Sequence, residues 1–413
     1  MDREFDMITL PNGIRVIHKQ VVHTKVAHCS IMMDIGSRDE QNGEEGLAHF
    51  WEHMAFKGTQ KRKAYHIINR LEILGGELNA YTTKEKICFY ASILDTHLEK
   101  AVELLADITF NSVFPEKQIE KERGVILEEM AMYQDSPEDA IQDEFDELIF
   151  DGHALGINIL GNQQTVSNFH QTDFLKFVAE NMDSSRLIFC SVGPSSLAKV
   201  KKLANRHLKE VPSKSSSRSR VKVNGYTPKQ EVRRKTILQA HCAIGNRSFA
   251  VGDNKRVPFS MLVNILGGPA MNSRLNLALR EKKGYVYSIE SGYAAYGDTG
   301  LFSIFFGTEP AKINRCKAAV YKELKLLRDK RLGNLQLHAA KEQIIGQLAM
   351  SEENNSHLML TLAKSMLDLN RVDTLEAIFE RIRAVTASEL SELANEIFCE
   401  EELSVLTFLP SED

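Results

Sequence analysis

The segment GLAHFWEHMAFKGT, residues 46–59, places two histidines four residues apart, His49 and His53, with Glu52 directly before the second. On an α-helix, side chains four positions apart lie on the same face. Two imidazoles in that arrangement can bind one ion in tetrahedral coordination, the geometry that zinc prefers. Glu52 lies on the adjoining flank, where its carboxylate can reach a water at the open metal position. The segment therefore predicts a helix that carries a metal site.

Such a site requires a third protein ligand, because catalytic zinc centres combine three protein donors with water. The acidic segment KERGVILEEMAMYQD, residues 121–135, offers Glu122, Glu128 and Glu129. Glu122 and Glu129 share one face of a helix but lie about 10 Å apart along its axis. One of them can bind the ion while the other orients a ligand histidine, and spacing alone does not decide which. Glu128 is expected to be a solvated helix charge.

Composition and charge argue against several classes of function. The chain has 413 residues, 43% hydrophobic and 26% charged, with 51 Lys+Arg against 56 Asp+Glu and a net charge of -5. These values are typical of globular proteins. A chain without a basic excess is not expected to bind nucleic acid or an anionic membrane surface. No stretch approaches the roughly 18 apolar residues of a membrane span, so none is expected.

The cysteines and the N-terminal sequence bear on the compartment. Six cysteines are scattered singly along the chain, which indicates reduced core thiols rather than disulfides or a zinc ribbon. The first ten residues, MDREFDMITL, contain no apolar signal core. We therefore expect a cytoplasmic protein, with a matured organellar matrix form as the alternative.

A change in composition near the middle of the chain predicts two domains. Residues 212–229, PSKSSSRSRVKVNGYTPK, are rich in Ser, Lys and Arg, as in a solvated linker. We place an N-terminal metal-binding domain at residues 1–211 and a C-terminal domain at residues 230–413.

The two halves repeat each other weakly, which indicates a duplicated domain. AHC occurs at residues 27–29 and again at 240–242, each time opening an apolar strand. Each half also ends in an apolar strand followed by Pro-Ser. Strand-like and helix-like segments alternate within each half. We therefore predict an α+β fold, with two homologous domains that each form a mixed, mainly antiparallel sheet with helices on one face.

These motifs together resemble the pitrilysin/insulinase zinc metallopeptidases, whose inverted His-x-x-Glu-His helix matches residues 49–53. The resemblance is to the mitochondrial-processing-peptidase-like branch, and it spans nearly the whole chain. In that family the third ligand is a Glu in an E-R-x-V-x-x-E-E-type helix, which falls on Glu129 of ERGVILEE. Glu122 matches the supporting carboxylate of the family.

The resemblance also implies substrate-binding residues. LEILGGELNAYTTKEKICFY is similar to the family's G-G-x-x-N-A-x-T edge strand, whose backbone and Asn side chain pair with an extended peptide. Asn79 and Ala80 fall on those positions. In the second half, NSRLNLALREKKGYVYSIESGY is similar to a block in which an Arg and a Tyr reach the substrate, and these match Arg280 and Tyr287.

The second half is not expected to bind metal, because it has no His between His241 and His338 and has Ala349 at the position of Glu129. One zinc ion per chain is therefore expected. The resemblance implies a zinc endopeptidase or oligopeptidase that hydrolyses peptide bonds in unfolded segments or short peptides. The alternative is a non-catalytic partner subunit of a processing-peptidase-like complex, although such subunits characteristically lose the motif kept here. A hydrolase of small molecules is disfavoured by the complete edge-strand motif.

Assembly follows from the number of modules. Larger members of the family join two units of this size, with zinc in the first and the Arg/Tyr pair in the second. This chain carries both elements in one unit. We therefore expect a homodimer in which Arg280 and Tyr287 of one chain complete the zinc site of the other.

Overall fold

The computed structural model describes residues 5–216 and 219–411; residues 217 and 218 of the predicted linker and the last few residues at each terminus lie outside this range. The strands of the described chain are β1 (Asp6–Thr9), β2 (Arg15–Gln20), β3 (Val26–Met33), β4 (Glu77–Thr82), β5 (Ile87–Leu94), β6 (Leu187–Gly193), β7 (Gln230–Lys235), β8 (Ala240–Ser248), β9 (Val286–Ala295), β10 (Gly300–Thr308) and β11 (Ser404–Pro410). The helices are α1 (Leu47–Ala55), α2 (Ala64–Glu72), α3 (Leu98–Phe110), α4 (Glu116–Asp135), α5 (Pro137–Ile149), α6 (Gln163–Asn168), α7 (Gln171–Asn181), α8 (Leu197–Leu208), α9 (Arg256–Gly267), α10 (Ile313–Asp329), α11 (Asn334–Glu352), α12 (Asn355–Leu369), α13 (Leu375–Ala384) and α14 (Ala387–Ile397).

The chain folds into two compact units, each built on one sheet. The first unit comprises the chain up to Met130, Ile157–Val221 and Met350–Val372, and the second comprises Ala131–Gly156, Lys222–Ala349 and the chain from Asp373 onward. No helix of the described chain is long and apolar enough to cross a membrane.

The first sheet has the strand order β1-β2-β6-β3-β5-β4. Only β2 and β6 are parallel, and the other neighbouring pairs are antiparallel. Alternate side chains of a strand point to opposite faces. Phe89 of β5 packs against Trp51 of α1 on one face. Cys88 and Met32 lie on the other face, in an apolar cluster with Met359 of α12.

The second sheet has the order β7-β11-β8-β10-β9 and repeats the arrangement of the first. Its parallel pair, β7 and β11, corresponds to β2 and β6, and its edge strand β9 corresponds to β4. The main core of this unit joins β8 and β10 to α9, α10 and α14. The predicted fold class, two homologous α+β domains with mixed, mainly antiparallel sheets, is confirmed.

Each unit also contains one helix that comes from the other half of the sequence. Helix α5 packs on β8 and β11 of the second sheet, whereas α12 packs on β3 and β6 of the first. Helices were expected on one face of each sheet, but α5 and α12 cover the second face as well, because those faces carry apolar residues that would otherwise contact water.

The described residues of the predicted linker form no helix or strand. Arg220 nevertheless departs from a solvated linker, since its guanidinium forms ion pairs with Asp34 and Asp39 at 2.8 and 2.7 Å. These carboxylates raise the pKa of Arg220 against the opposing effect of burial. The domain boundaries at 211 and 230 stay a prediction.

Candidate metal centre

Helix α1 begins at a glycine and is capped by a distant side chain. The N-cap Gly46 has φ +96°, and a Cβ there would lie 2.4 Å from the carbonyl oxygen of Leu160. Because glycine offers no capping oxygen, the first N–H groups need another acceptor. The Glu40 carboxylate accepts hydrogen bonds from the N–H of Gly46 at 3.0 Å and of Ala48 at 2.7 Å. This cap fixes the first turn, in which His49 lies.

The other side of α1 belongs to the hydrophobic core. Phe50 and Trp51 are fully buried, and their rings contact Phe174 and Phe89 edge-on. The two aromatic residues between the histidines therefore pack the core. Burial of this face directs the His49, Glu52 and His53 side chains to the remaining one.

Three of the predicted residues converge at one point. The Glu129 Oε2 atom of α4 lies 3.9 Å from Nε2 of His49 and 3.5 Å from Nε2 of His53. Tetrahedral zinc with bonds of about 2.0–2.1 Å separates its donor atoms by about 3.3 Å. The donor set and its spacing therefore fit zinc. Within residues 5–216 and 219–411, these three residues form the only group of three or more His, Cys, Asp or Glu whose potential ligand atoms all lie within 4.8 Å of one another.

The His53 ring lies between two carboxylates of α4. Its Nδ1 atom is 3.0 Å from Oε1 of Glu122, whose other oxygen is 2.6 Å from Nζ of Lys57. A carboxylate at Nδ1 requires the proton there, which leaves the Nε2 lone pair directed toward Glu129. Burial alone would raise the pKa of Glu122, but hydrogen bonds from His53 and Lys57 outweigh it and lower that pKa. The geometry favours Glu129 as ligand and Glu122 as supporter.

The protonation of His49 and Glu52 reflects their burial. Burial, and secondly the nearby His53, lower the pKa of His49 to about 3, so the imidazole is neutral, as a metal ligand must be. Burial raises the pKa of Glu52, while Thr82 of β4 opposes the rise. The Glu52 carboxyl group is thus partly desolvated, and it lies between α1 and the sheet face on which α1 packs.

The predicted substrate residues of the first unit lie on β4, which pairs with β5 alone within the described chain. Asn79 is exposed and Ala80 is half-buried. Since they are consecutive, Asn79 points to the face opposite α1 and Ala80 to the face of α1.

Arg280 and Tyr287 lie in the second unit and contact each other. Arg280 belongs to a π-helical turn, Asn276–Glu281, and Tyr287 to the edge strand β9. The guanidinium carbon lies 5.8 Å from the centre of the Tyr287 ring, and the tyrosine is 87% exposed.

Two residues that position the site were missed in the sequence. Glu40 had a detectable signal, because a helix that begins at glycine needs an outside acceptor for its first N–H groups. Lys57 lies in the turn that follows α1, four residues after His53, and its basic side chain near the histidines was the available signal. In neither case does the sequence indicate which group the side chain contacts.

Comparison with known proteins shows similarity along nearly the whole chain. Residues 15–163 match the model of the insulinase family of peptidases, family M16, and residues 168–344 match the model of the M16 inactive domain. An uncharacterized zinc protease of Bacillus subtilis, YmxG, is 31% identical over 393 residues, which cover 95% of each chain. An uncharacterized zinc protease of Rickettsia bellii is 30% identical over 398 residues, 96% of each chain.

Solved structures share the fold. A peptidase M16 inactive domain from Pseudomonas fluorescens superimposes with a TM-score of 0.92 at 16% identity and covers 99% of each chain. A protease from Helicobacter pylori superimposes with a TM-score of 0.90 at 22% identity, over 98% of this chain and 99% of that one.

Proposed function

Because the chain belongs to the insulinase family of peptidases, M16, we propose that it is a zinc endopeptidase or oligopeptidase that cleaves unfolded segments or short peptides. The observation that carries this proposal is the convergence of His49, His53 and Glu129 beside Glu52. The relatives named as zinc proteases support the metal.

In the proposed mechanism each residue has one task. His49, His53 and Glu129 hold one zinc ion per chain, which would polarise the scissile carbonyl and lower the pKa of a bound water. Glu52 takes the proton of the attacking water and delivers it to the leaving amine. Glu122 keeps His53 in the tautomer whose Nε2 is free to bind metal.

The free edge of β4 supports a peptide as the substrate. A strand edge presents unpaired N–H and C=O groups, to which an extended chain can add through backbone hydrogen bonds. In this proposal the substrate pairs with β4 at Asn79 and Ala80. A short or unfolded peptide can adopt this extended conformation along its whole length, which supports that substrate class.

The variant Glu52→Gln tests the mechanism, because the amide has nearly the same shape but cannot take up the proton. We expect it to keep zinc and to lose about 10²- to 10⁴-fold in peptide hydrolysis. Metal content and cleavage of a peptide library are measured on the same preparation, with the exposed Glu128→Gln as control. Full activity in Glu52→Gln would refute the mechanism, and zinc-loaded wild-type protein that cleaves no peptide would favour the partner-subunit alternative.

We further propose a homodimer in which Arg280 and Tyr287 of one chain complete the zinc site of the other. A cation and a phenol at the scissile carbonyl would stabilise the negative charge that develops on its oxygen. Their mutual contact and the exposure of Tyr287 support this role.

Mixing two inactive variants tests the shared site, provided that each alone is strongly impaired. Exchange between Glu52→Gln and Tyr287→Phe chains would produce mixed dimers with one site that carries both changes and one that carries neither. Activity should return in about one quarter of the sites if exchange is random. Confirmed exchange without activity would exclude the shared site, and a requirement for another protein would indicate a heterodimer.

A cytoplasmic location is part of the proposal. It is supported by six free cysteines, five of them buried, since secreted proteins commonly pair their cysteines. Fractionation of the native cells with activity measured in each fraction would test it.

A further inference from the structure

A groove of about 540 Å³ lies beside β4, on the sheet face opposite α1. We name it the edge groove, and its polar lining comprises His28, Glu77, Asn79, Tyr90, Ser92, Asn354 and Ser356. Glu77 is directly opposite Ser92 in the β4–β5 register, and Ser92 is directly opposite His28 in the β5–β3 register. The floor of the edge groove is therefore one row of side chains that crosses three strands and ends at the free edge of the sheet.

A strand added to β4 would continue this row. Its side chains would alternate between the face of α1, where Glu52 lies, and the face of the edge groove. A substrate residue directly opposite Glu77 would then have its Cβ about 5 Å from that of Glu77, within reach of any long side chain. The edge groove is thus placed to contact the side chain of every second residue of a docked peptide.

The charges of the edge groove indicate which side chain it would accept. Glu77 is exposed, and the described lining contains no Lys or Arg. The Nδ1 atom of His28 is 2.8 Å from the Ser92 hydroxyl, and burial lowers the pKa of His28, so it adds no charge at neutral pH. Glu77 therefore leaves the lining negative.

The N-terminus of α12 does not reverse this sign. A helix N-terminus attracts anions through its unpaired N–H groups. Here the Asn354 side chain already accepts hydrogen bonds from the N–H groups of Ser356 and His357, both at 3.0 Å. The edge groove thus offers one carboxylate together with hydroxyl and amide acceptors.

We propose that the edge groove is a specificity subsite for a Lys or Arg side chain of the substrate, held by Glu77. This inference rests on the proposed function, because it assumes that the peptide docks along β4. It gives the substrate class a further property, a basic residue at a position whose side chain faces away from Glu52.

Peptides that differ at one position, Lys, Gln or Glu, test the inference. Scanning this substitution along a cleaved peptide should reveal a position at which Lys is preferred to Glu by about two- to fivefold in kcat/KM, the scale of one opposite-charge cross-strand pair. In Glu77→Gln the preference should disappear, and in Glu77→Lys it should reverse. The control is Glu72→Lys, an exposed residue at the end of α2.

The same peptides are titrated by fluorescence anisotropy onto the Glu52→Gln variant, with and without Glu77→Lys, so that charge preference is read without hydrolysis. A preference that Glu77→Lys leaves unchanged, or that Glu72→Lys alters equally, would overturn the edge groove as a subsite. If wild-type protein cleaves no peptide but Glu77-dependent binding is present, the proposed function fails and the edge groove stands. If cleavage proceeds without a Glu77-dependent preference, the function stands and the edge groove fails.

Discussion

The two carboxylates around His53 allow ligand and supporter to be separated, because Glu129 and Glu122 approach different nitrogens of one ring. Zinc sites in small proteins bind with roughly 10–16 kcal/mol, so one of three protein donors contributes roughly 3–5 kcal/mol. We therefore expect Glu129→Gln to lower zinc affinity by about 10²- to 10⁴-fold. Glu122→Gln keeps all three donors and removes only the charge that holds the His53 tautomer, so its loss should be about 10- to 100-fold.

The assay is competition for zinc between the apoprotein and a fluorescent chelator. The control is Glu128→Gln, an exposed residue adjacent to Glu129, which should bind zinc like the wild type. Denaturant unfolding of each apoprotein separates lost metal binding from lost folding. A larger loss in Glu122→Gln than in Glu129→Gln would reverse the two assignments, and an equal loss in Glu128→Gln would show that the effect is only the net charge of α4.

Two further predictions concern the framework of the first unit. Glu40→Ala should lower the free energy of unfolding by about 1–3 kcal/mol, because it leaves N–H groups such as that of Ala48 without an acceptor. It should also weaken zinc binding. An unchanged denaturant midpoint and an unchanged zinc affinity would show that the Glu40 cap does not stabilise α1. Burial lowers the pKa of His18, against hydrogen bonds to Ser195 and Ser191, so the unfolded chain binds the proton more readily and stability should fall as pH drops below about 6.5. Between pH 7 and 5, denaturant unfolding should depend less on pH in His18→Gln than in wild type, whereas an equal change in the exposed His23→Gln would contradict this origin.

The parts of the structure that sequence predicts are those fixed by local geometry. Four-residue spacing places His49 and His53 on one helix face whatever the rest of the chain does. The choice between Glu122 and Glu129 is different, because both lie on one face of α4 and periodicity treats them alike. The family resemblance assigns their roles by similarity, whereas the physical distinction is the orientation of the His53 ring, which depends on how α1 and α4 pack.

What sequence does not predict depends on partners that are distant along the chain. The apolar stripe of α12 predicts that the helix is buried, but it does not say against which sheet, and α12 packs on the first. The Lys/Arg content of residues 212–229 indicates solvation, yet Arg220 is held by Asp34 and Asp39. Composition describes the average polarity of a segment, whereas a single ion pair depends on which residues lie next to that side chain in the folded structure.

Comparison of the two sheets explains how one half can carry the predicted metal site while the described residues of the other half form no such group. Helix α9 follows β8 as α1 follows β3, and its Phe259, Leu262 and Leu266 are as deeply buried as the core residues of α1. The fold requires only this apolar stripe. The predicted metal ligands of α1, His49 and His53, lie on the remaining face, where the apolar stripe places no demand on residue type. The absence of histidines from α9 therefore leaves the architecture intact, so the fold alone does not establish a peptidase and the function must be argued from the first half.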